Sequence, residues 1–410
     1  MAATNAPPGA DEAYPRAQLA TLYAAFFLLL GAAMTARVHG NSLNVYATQA
    51  AAFLHGRFDV AADLHDVAVV AGRGYFPLGA APSVLLIPVV AVFGAGVPDV
   101  VVGVGALVVA TLGMYRLVTA ELAATSQRAW WVLGAVAGTP LLACAFNDNA
   151  YYAAHVVVVA CLAWAMVLAL SGRSPVLAGL LVGLAAATRL DAAAGIVPVA
   201  AMYARAHSHG SRLARPAIAA AGVLPFLLLV AWYNAARFGN PLESGYGLQN
   251  LNYPWLAALR AQGLFSVRHL PENLYYLLVA GPVFTNGGHG LPRSFPWIVP
   301  SEWGMGLAWT SPWLFVGVLA RGRRVAIVAA GALLVLLPSL FYYGVGWIQF
   351  GYRYGLDALP FLLLLAAWGQ ARVPKSRRLV VVLLVWSLVV NAWGILWLMG
   401  MWGVPRAYTG

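Results

Sequence analysis

Charge is the scarcest property of this sequence. Aspartate, glutamate, lysine and arginine make up only 9% of its 410 residues, whereas 62% of the residues are hydrophobic. Soluble domains carry roughly a quarter charged residues, so this deficit excludes a soluble core. The chain instead contains many apolar runs that approach the ~20 residues needed to cross a bilayer. These features predict an all-α polytopic membrane protein in a lipid bilayer.

Cysteine is also scarce, which excludes further classes of protein. Cys144 and Cys161 both lie in apolar runs, so we predict small core residues and neither a disulfide framework nor a metal site. His207 and His209 lie in a basic loop, and we assign them no metal. The net charge of +11 comes from basic residues scattered through short loops. That distribution is typical of topology signals and does not indicate nucleic-acid binding.

The apolar runs predict about eleven transmembrane helices. Residues 1–18 form a cytoplasmic N-terminal tail, and residues 19–410 form a single domain whose first helix, 19–36, is retained and not cleaved. The segment 82–98 is apolar but short and contains three prolines. If it lies at the membrane interface, the basic loops "ARAHSHGSRLARP", "ARGRR" and "ARVPKSRR" all face the cytoplasm; if it spans, they face outward. The positive-inside rule favours the interfacial placement.

This topology leaves two long extracytoplasmic loops, residues 37–98 and about 236–304, each with interfacial helices. Ten of the thirteen acidic residues fall on or near the outer side: Asp59, Asp63, Asp66, Asp99, Asp148, Asp191, Glu243, Glu272, Glu302 and Asp357. Acidic residues contribute little to topology, so this concentration indicates a function at that face. The numerous Tyr and Trp residues are more typical of a membrane-interface belt than of a sugar-binding platform.

Several motifs resemble those of one enzyme superfamily. They are "YFPLGAAP" at 75–82, "GLLVGLAAATRLDAAAGIVPV" at 179–199, "WYNAARFGNPLESGYG" at 232–247, and the late pair "GMGLAWTSPWLFVG" and "GWIQFGYRYGLDALPFLLLL". Together with a first span and an acidic outer loop, they resemble the GT-C superfamily of polytopic glycosyltransferases. The resemblance is greatest to the branch with protein O-mannosyltransferases and lipid A aminoarabinose transferases, and it runs from about residue 19 to 370.

The resemblance implies transfer of a sugar from a polyprenyl-phosphate-linked donor to a glycan, lipid or protein acceptor. The transfer proceeds with inversion at the extracytoplasmic face of the plasma membrane. In such enzymes a carboxylate of the first outer loop acts as the base, which points to Asp66 first and Asp63 second. Asp148 follows the third span, where the family often has a second carboxylate, and it is the next candidate.

The departing phosphate requires cations, and the resemblance implies Arg73, Arg237 and Arg353 for this role. Further candidates for substrate binding are Arg189, Tyr75, Glu243 and Asp357. Arg189 and Asp357 lie at span ends, where a charged residue is either functional or an interfacial anchor. No metal-ligand motif is found, and a divalent cation, Mg²⁺ or Mn²⁺, stays open as a cofactor.

The sequence also departs from the family. Many members carry an acidic residue directly after the first span, where this chain has Asn41 and Asn44, and many carry a lysine that "YFPLGAAP" lacks. Alternatives therefore stay open. The aspartates at 59–66 could form a solvated loop. The chain could be a non-catalytic accessory subunit, or a flippase or carrier of lipid-linked sugars, although we find no internal repeat typical of carriers.

Overall fold

A computed structural model of the chain describes residues 44–400, apart from residues 65, 123–124, 207–212, 252 and 285–296. The predicted tail 1–18, the predicted first span 19–36, and Asn41, His65, His207 and His209 lie outside this described part. The structure is mostly helical. Its α-helices are α1 Val45–Leu54, α2 Ala81–Phe93, α3 Val100–Glu121, α4 Thr125–Ala137, α5 Leu141–Ala145, α6 Ala150–Leu170, α7 Pro175–Thr188, α8 Ile196–Ala206, α9 Ala214–Phe238, α10 Pro254–Ala261, α11 Leu270–Leu278, α12 Leu307–Thr310, α13 Arg323–Phe341, α14 Leu359–Arg372 and α15 Arg377–Leu398.

The strands are short and form three two-stranded sheets. They are β1 Ala68–Val70 antiparallel to β2 Arg73–Tyr75, β3 Val283–Phe284 antiparallel to β4 Ile298–Val299, and β5 Trp303–Met305 parallel to β6 Gln349–Gly351. The parallel pair joins the second predicted outer loop to the segment before α14. All three sheets lie in segments that link the helices, so they shape the loops and not the apolar core.

Five helices of the described part are long and apolar enough to cross a membrane. They are α3, α6, α9, α13 and α15, the last together with the turn that precedes it from Pro374. The other apolar runs fold into shorter or broken elements. The run at 129–146 is divided between α4 and α5 because Pro140 lacks an N–H and its ring clashes with a preceding helical turn. The run at 305–320 forms the four-residue α12 and a 3₁₀ helix, Pro312–Leu319.

Helix α6 is the centre of the bundle. Sixteen of its 21 residues are buried, and it is apolar on every side because other helices surround it. By contrast, α9 is mostly exposed, since only 17% of its apolar 18-residue stretch is buried within the protein. Its exposed Leu228, Leu229 and Trp232 form an apolar outer surface suited to lipid. Asp148, which precedes α6, and Tyr152, in its first turn, are both buried.

Glycines allow α7 and α9 to pack closely. A Cβ on Gly179 of α7 would overlap the carbonyl oxygen of Ala219, and a Cβ on Gly222 of α9 would lie 2.8 Å from the carbonyl oxygen of Val176. Small residues at such a crossing bring two backbones into van der Waals contact, which is a main source of helix association in membranes.

We expect Gly179→Val to destabilise the bundle by about 1–3 kcal/mol or more, because the added methyl groups must push α9 away from α7. Thermal unfolding in detergent measures the change. Gly105→Val is the matched control, since a Cβ at Gly105 of α3 meets no atom within 4 Å. Equal losses of stability in the two variants would contradict the close packing at Gly179.

Two sets of helix ends form separate groups of contacts. At one end, Glu121 at the end of α3 pairs with Arg324 at the start of α13 (2.7 Å) and accepts a hydrogen bond from Trp368 of α14 (3.0 Å). All three residues lie on predicted cytoplasmic ends. At the other end, the start of α3, the start of α6 and the junction of α7 with α8 line one cavity. These are predicted outer ends.

The described part of the predicted first outer loop, which we call the first outer segment, folds onto the bundle through α1 and α2. The Ser83 hydroxyl donates to Gln49 Oε1 (2.6 Å), and Gln49 Nε2 donates to the Tyr233 hydroxyl (2.8 Å), which fastens both helices to α9. Helix α2 has 13 residues and would extend roughly 20 Å, too short for a ~30 Å hydrocarbon core. It exposes Val92 and Phe93 at 74% and 75%, as an interfacial helix does.

Candidate functional site

A cavity of about 1750 Å³ occupies the end of the bundle where the predicted outer helix ends meet. Its volume exceeds the ~300–1,000 Å³ of ordinary small-molecule pockets, so it has room for two substrates together. Seven carboxylates of the described residues line it: Asp66, Asp99, Asp148, Asp191, Glu243, Glu272 and Glu302. The described guanidinium groups that line it are those of Arg189 and Arg353. Seven of the ten acidic residues that the predicted topology places on the outer side thus line one internal surface.

Asp66 enters the cavity from the first outer segment. Its backbone is left-handed (φ 60°), a conformation that Asp and Asn tolerate better than most residues with a Cβ. Gln249 Nε2 donates to the Asp66 carbonyl (3.2 Å), and the Asn250 N–H donates to the carbonyl of Val67 (2.8 Å). These bonds join the two outer segments at Asp66. Asp63, three residues earlier, is exposed and does not line the cavity.

Asp148 and Asp99 form a buried pair at the helix ends. Asp148 is 4% exposed and accepts a hydrogen bond from the N–H of Val100 (3.0 Å), the first residue of α3. Asp99 is 1% exposed and accepts one from the N–H of Tyr46 in the first turn of α1 (3.0 Å). Both carboxylates therefore cap helix N-termini and also line the cavity. Sequence analysis did not select Asp99, although an Asp directly before a span could have drawn attention to a cap.

Burial raises the pKa of the Asp99 carboxyl to about 7; the hydrogen bond from Tyr46 opposes the rise and the charge of Asp148 adds to it. The folded state therefore binds this proton more tightly than the unfolded state. Stability should fall as pH rises from about 4 to about 7 and then level off. We expect Asp99→Asn to reduce this loss, with thermal unfolding in detergent at pH 5 and pH 8 as the measurement. An identical pH dependence in both proteins would contradict the raised pKa.

Arg353 is a buried cation without a carboxylate partner. Its side chain is 7% exposed, and within the described residues no carboxylate lies within 4 Å and its Nε has no hydrogen-bond partner. Nη1 donates to Gln349 Oε1 (2.9 Å). The guanidinium lies over the rings of Tyr152 (4.8 Å) and Tyr354 (5.1 Å). A buried guanidinium remains charged, so this position favours binding of an anion, and its planar fork suits phosphate.

Arg189 has its charge neutralised within the protein. Its Nε donates to Asp357 Oδ2 (2.9 Å) and its Nη2 to Asp191 Oδ2 (2.7 Å). The second oxygen of Asp357 contacts His155 Nδ1 (2.7 Å) in the second turn of α6. This network joins the end of α7 to α6 and to the turn before α14. Arg189 is therefore better suited to fixing the cavity wall than to binding a second anion.

The remaining sequence-derived candidates lie around the cavity in different ways. Arg73 is exposed on β2 and Tyr75 is buried against Phe238 (ring centroids 5.6 Å); neither lines the cavity. Arg237 does not line it either, because its Nη1 donates to the carbonyl of Phe76 (2.7 Å) and fastens the first outer segment to α9. Glu243 does line it, and its Oε1 accepts from the N–H of Gly245 (2.7 Å).

Metal binding was tested on the donor groups that the fold brings together. Among the residues that the structure describes, no group of three or more His, Cys, Asp or Glu side chains converges in a way that could hold a metal ion. Mg²⁺ is often held by one or two carboxylates and substrate phosphates, and Asp148 and Asp99 are the carboxylates nearest to that description. We derive no step of the reaction through a metal.

Comparison with known proteins gives one structural likeness. No protein-family model matches the chain, and no curated protein matches it. Among solved structures, the chain is similar to the archaeal oligosaccharyltransferase AglB from Archaeoglobus fulgidus, in complex with an inhibitory peptide and a dolichol-phosphate. The two share 11% identity with a TM-score of 0.44, over 96% of this chain and 56% of that chain. This chain thus spans little more than half the length of that protein.

Proposed function

We propose that the chain is a glycosyltransferase that moves a sugar from a polyprenyl-phosphate-linked donor to an acceptor hydroxyl, with inversion at the anomeric carbon. One observation carries the proposal. The cavity combines the buried guanidinium of Arg353 with the carboxylates of Asp66 and Asp148. Among the described residues, this guanidinium has no carboxylate partner. A fixed cation and a base within one partly enclosed space are what phosphate departure and hydroxyl activation require.

The reaction would proceed as one displacement. The acceptor oxygen forms a bond to the anomeric carbon as the bond from that carbon to the phosphate oxygen breaks. The phosphate leaves with the electron pair, and Arg353 stabilises the added negative charge. The hydroxyl proton passes to Asp66, which is less buried than Asp99 and Asp148. Asp148, close to the start of the central helix, orients the acceptor or serves as the second base.

The membrane setting supplies the donor. Its isoprenoid tail would lie along apolar helix surfaces such as that of α9, with the phosphate in the cavity. Because the cavity lies at the predicted outer helix ends, transfer takes place at the extracytoplasmic face of the plasma membrane. Mannose is the first sugar to test, since the motifs resemble protein O-mannosyltransferases, and a glycan, lipid or protein of the cell envelope is the acceptor.

The test uses the full chain purified in detergent with polyprenyl-phosphate sugars and a mixed set of acceptors. We expect release of polyprenyl phosphate together with a glycosylated product of inverted anomeric configuration, measured by mass spectrometry and NMR. Binding of the donor without any release would overturn the proposal in favour of a non-catalytic accessory subunit. Movement of the intact donor across a vesicle membrane would overturn it in favour of a flippase or carrier.

A further inference from the structure

Four aromatic side chains from three segments of the chain meet on the cavity surface. We name them the aromatic wall: Tyr253, Trp255, Trp303 and Trp347. Ring centroids lie 4.9 Å apart for Tyr253 and Trp347, and 5.2 Å apart for Trp255 and Trp303. Trp303 and Trp347 are stacked at 6.1 Å with an interplanar angle of 21°. Sequence analysis favoured a membrane-interface belt for such residues, whereas these four line the cavity.

The rings of the wall lie in two orientations. Trp303 and Trp347 are nearly parallel (21°), and Trp255 stands nearly perpendicular to both (83° and 86°). Trp255 remains 39% exposed. The wall therefore offers aromatic ring faces on which an apolar face of a ligand can pack, and Trp255 is the most accessible of the four side chains.

Two carboxylates share the cavity with the wall. Glu302 directly precedes Trp303, and Glu272 lines the same cavity. Neither carboxylate forms an ion pair or a side-chain hydrogen bond with the described residues. An ionised carboxylate only accepts hydrogen bonds, so these two groups select a ligand rich in donors such as hydroxyl groups. A lipid tail offers none of these donors.

The wall also lies close to the proposed phosphate site. The Tyr152 hydroxyl donates to the backbone carbonyl of Trp347 (3.1 Å), while the guanidinium of Arg353 lies over the ring of Tyr152. One side chain thus links the wall to the cation. A ligand on the wall would stand beside the anomeric carbon of a donor whose phosphate is held by Arg353.

We propose that the acceptor is a glycan, and that one of its sugar rings stacks on the aromatic wall while Glu302 and Glu272 accept hydrogen bonds from its hydroxyls. This proposal rests on the proposed function. A pyranose ring has an apolar face of C–H groups with partial positive charge, which packs on the negative face of an indole, and hydroxyls around its edge. It is the ligand class that matches exposed aromatic ring faces in a cavity that also contains carboxylates.

The test is saturation-transfer NMR on the full chain in detergent with mannotriose, maltotriose and chitotriose, without donor. We expect at least one trisaccharide to bind through the protons of one ring face. Trp255→Ala should weaken its affinity at least fivefold, and Trp255→Phe, which keeps a ring face, should weaken it less. Trp130→Ala is the control, because Trp130 is 48% exposed on α4 and does not line the cavity. Absence of binding by all three, or equal effects of Trp255→Ala and Trp130→Ala, would overturn the proposal.

Failure of this proposal and failure of the proposed function give different results. A Ser/Thr-containing peptide that accepts sugar from the donor, while no trisaccharide binds, would overturn the glycan acceptor and leave the glycosyltransferase standing. A trisaccharide that binds to the wall with no release of polyprenyl phosphate would support the wall and overturn the transferase. Displacement of the bound trisaccharide by choline would overturn the sugar-stacking interpretation in favour of a cation site.

Discussion

Asp66→Asn is expected to lower the rate of sugar transfer at least about 100-fold, because a positioned general base typically contributes 10²–10⁴ to a rate. Asparagine keeps the shape of the side chain and tolerates the left-handed backbone (φ 60°), so it removes the base and little else. The measurement is the initial rate of polyprenyl phosphate release at saturating donor. Affinity for the donor should change little, since Asp66 acts on the acceptor.

The matched control for Asp66 is Asp63→Asn. Asp63 belongs to the same acidic stretch but is exposed and lies away from the cavity, so its replacement should leave the rate within about twofold of wild type. Asp66→Ala is a poorer test, because alanine is strained at a left-handed position. A normal rate in Asp66→Asn, accompanied by a large loss in Asp148→Asn, would transfer the role of base to Asp148.

Arg353→Gln is expected to lower kcat/KM by roughly 10²–10³, the loss typical when one stabilising group for developing negative charge is removed from an active site. The charge on the leaving phosphate is greatest in the transition state, so kcat should fall more than donor affinity. Arg353→Lys should restore part of the rate, since it returns the charge without the planar fork. Steady-state kinetics with purified donor distinguishes the three proteins.

This substitution should leave the fold intact. Removing one member of a buried ion pair leaves an uncompensated charge, but Arg353 has no carboxylate partner among the described residues, so glutamine leaves no unpaired carboxylate. Arg73→Gln is the control, because Arg73 is exposed on β2 outside the cavity. If Arg73→Gln lost as much activity as Arg353→Gln, the phosphate would lie nearer the first outer segment than we propose.

The sequence alone predicted much of the architecture. The long apolar runs predicted α3, α6, α9, α13 and α15, because hydrophobic length is a local property. The positive-inside rule separated the helix ends into two groups, and the ion pair of Glu121 with Arg324 joins ends from one of them. Interrupted helices were harder to predict. The hydrophobicity of a run does not change at the position where a proline such as Pro140 ends one helix before the next begins.

The site required tertiary information. The sequence shows Asp99 only as an acidic residue before a helix. Its partner Tyr46 lies 53 residues earlier, and only the fold brings the two together. The partners in the aromatic wall are likewise far apart, because Trp255 and Trp347 come from different segments. Arg237 and Arg353 look alike in sequence, yet Arg237 donates to the backbone carbonyls of Tyr233 and Phe76, whereas the Nε of Arg353 has no hydrogen-bond partner among the described residues. Which charges are already satisfied is decided by folding and not by composition.

Binding of the donor headgroup in the cavity beside Arg353 can be tested without assuming turnover. A polyprenyl-phosphate sugar with a photoreactive diazirine on the sugar can be cross-linked to the protein in detergent and mapped by mass spectrometry. We predict labelling of residues 147–153 and 347–354, which line the cavity in part, and loss of that labelling with excess unlabelled donor. Labelling confined to the lipid-facing surface of α9, unchanged by competitor, would contradict the account.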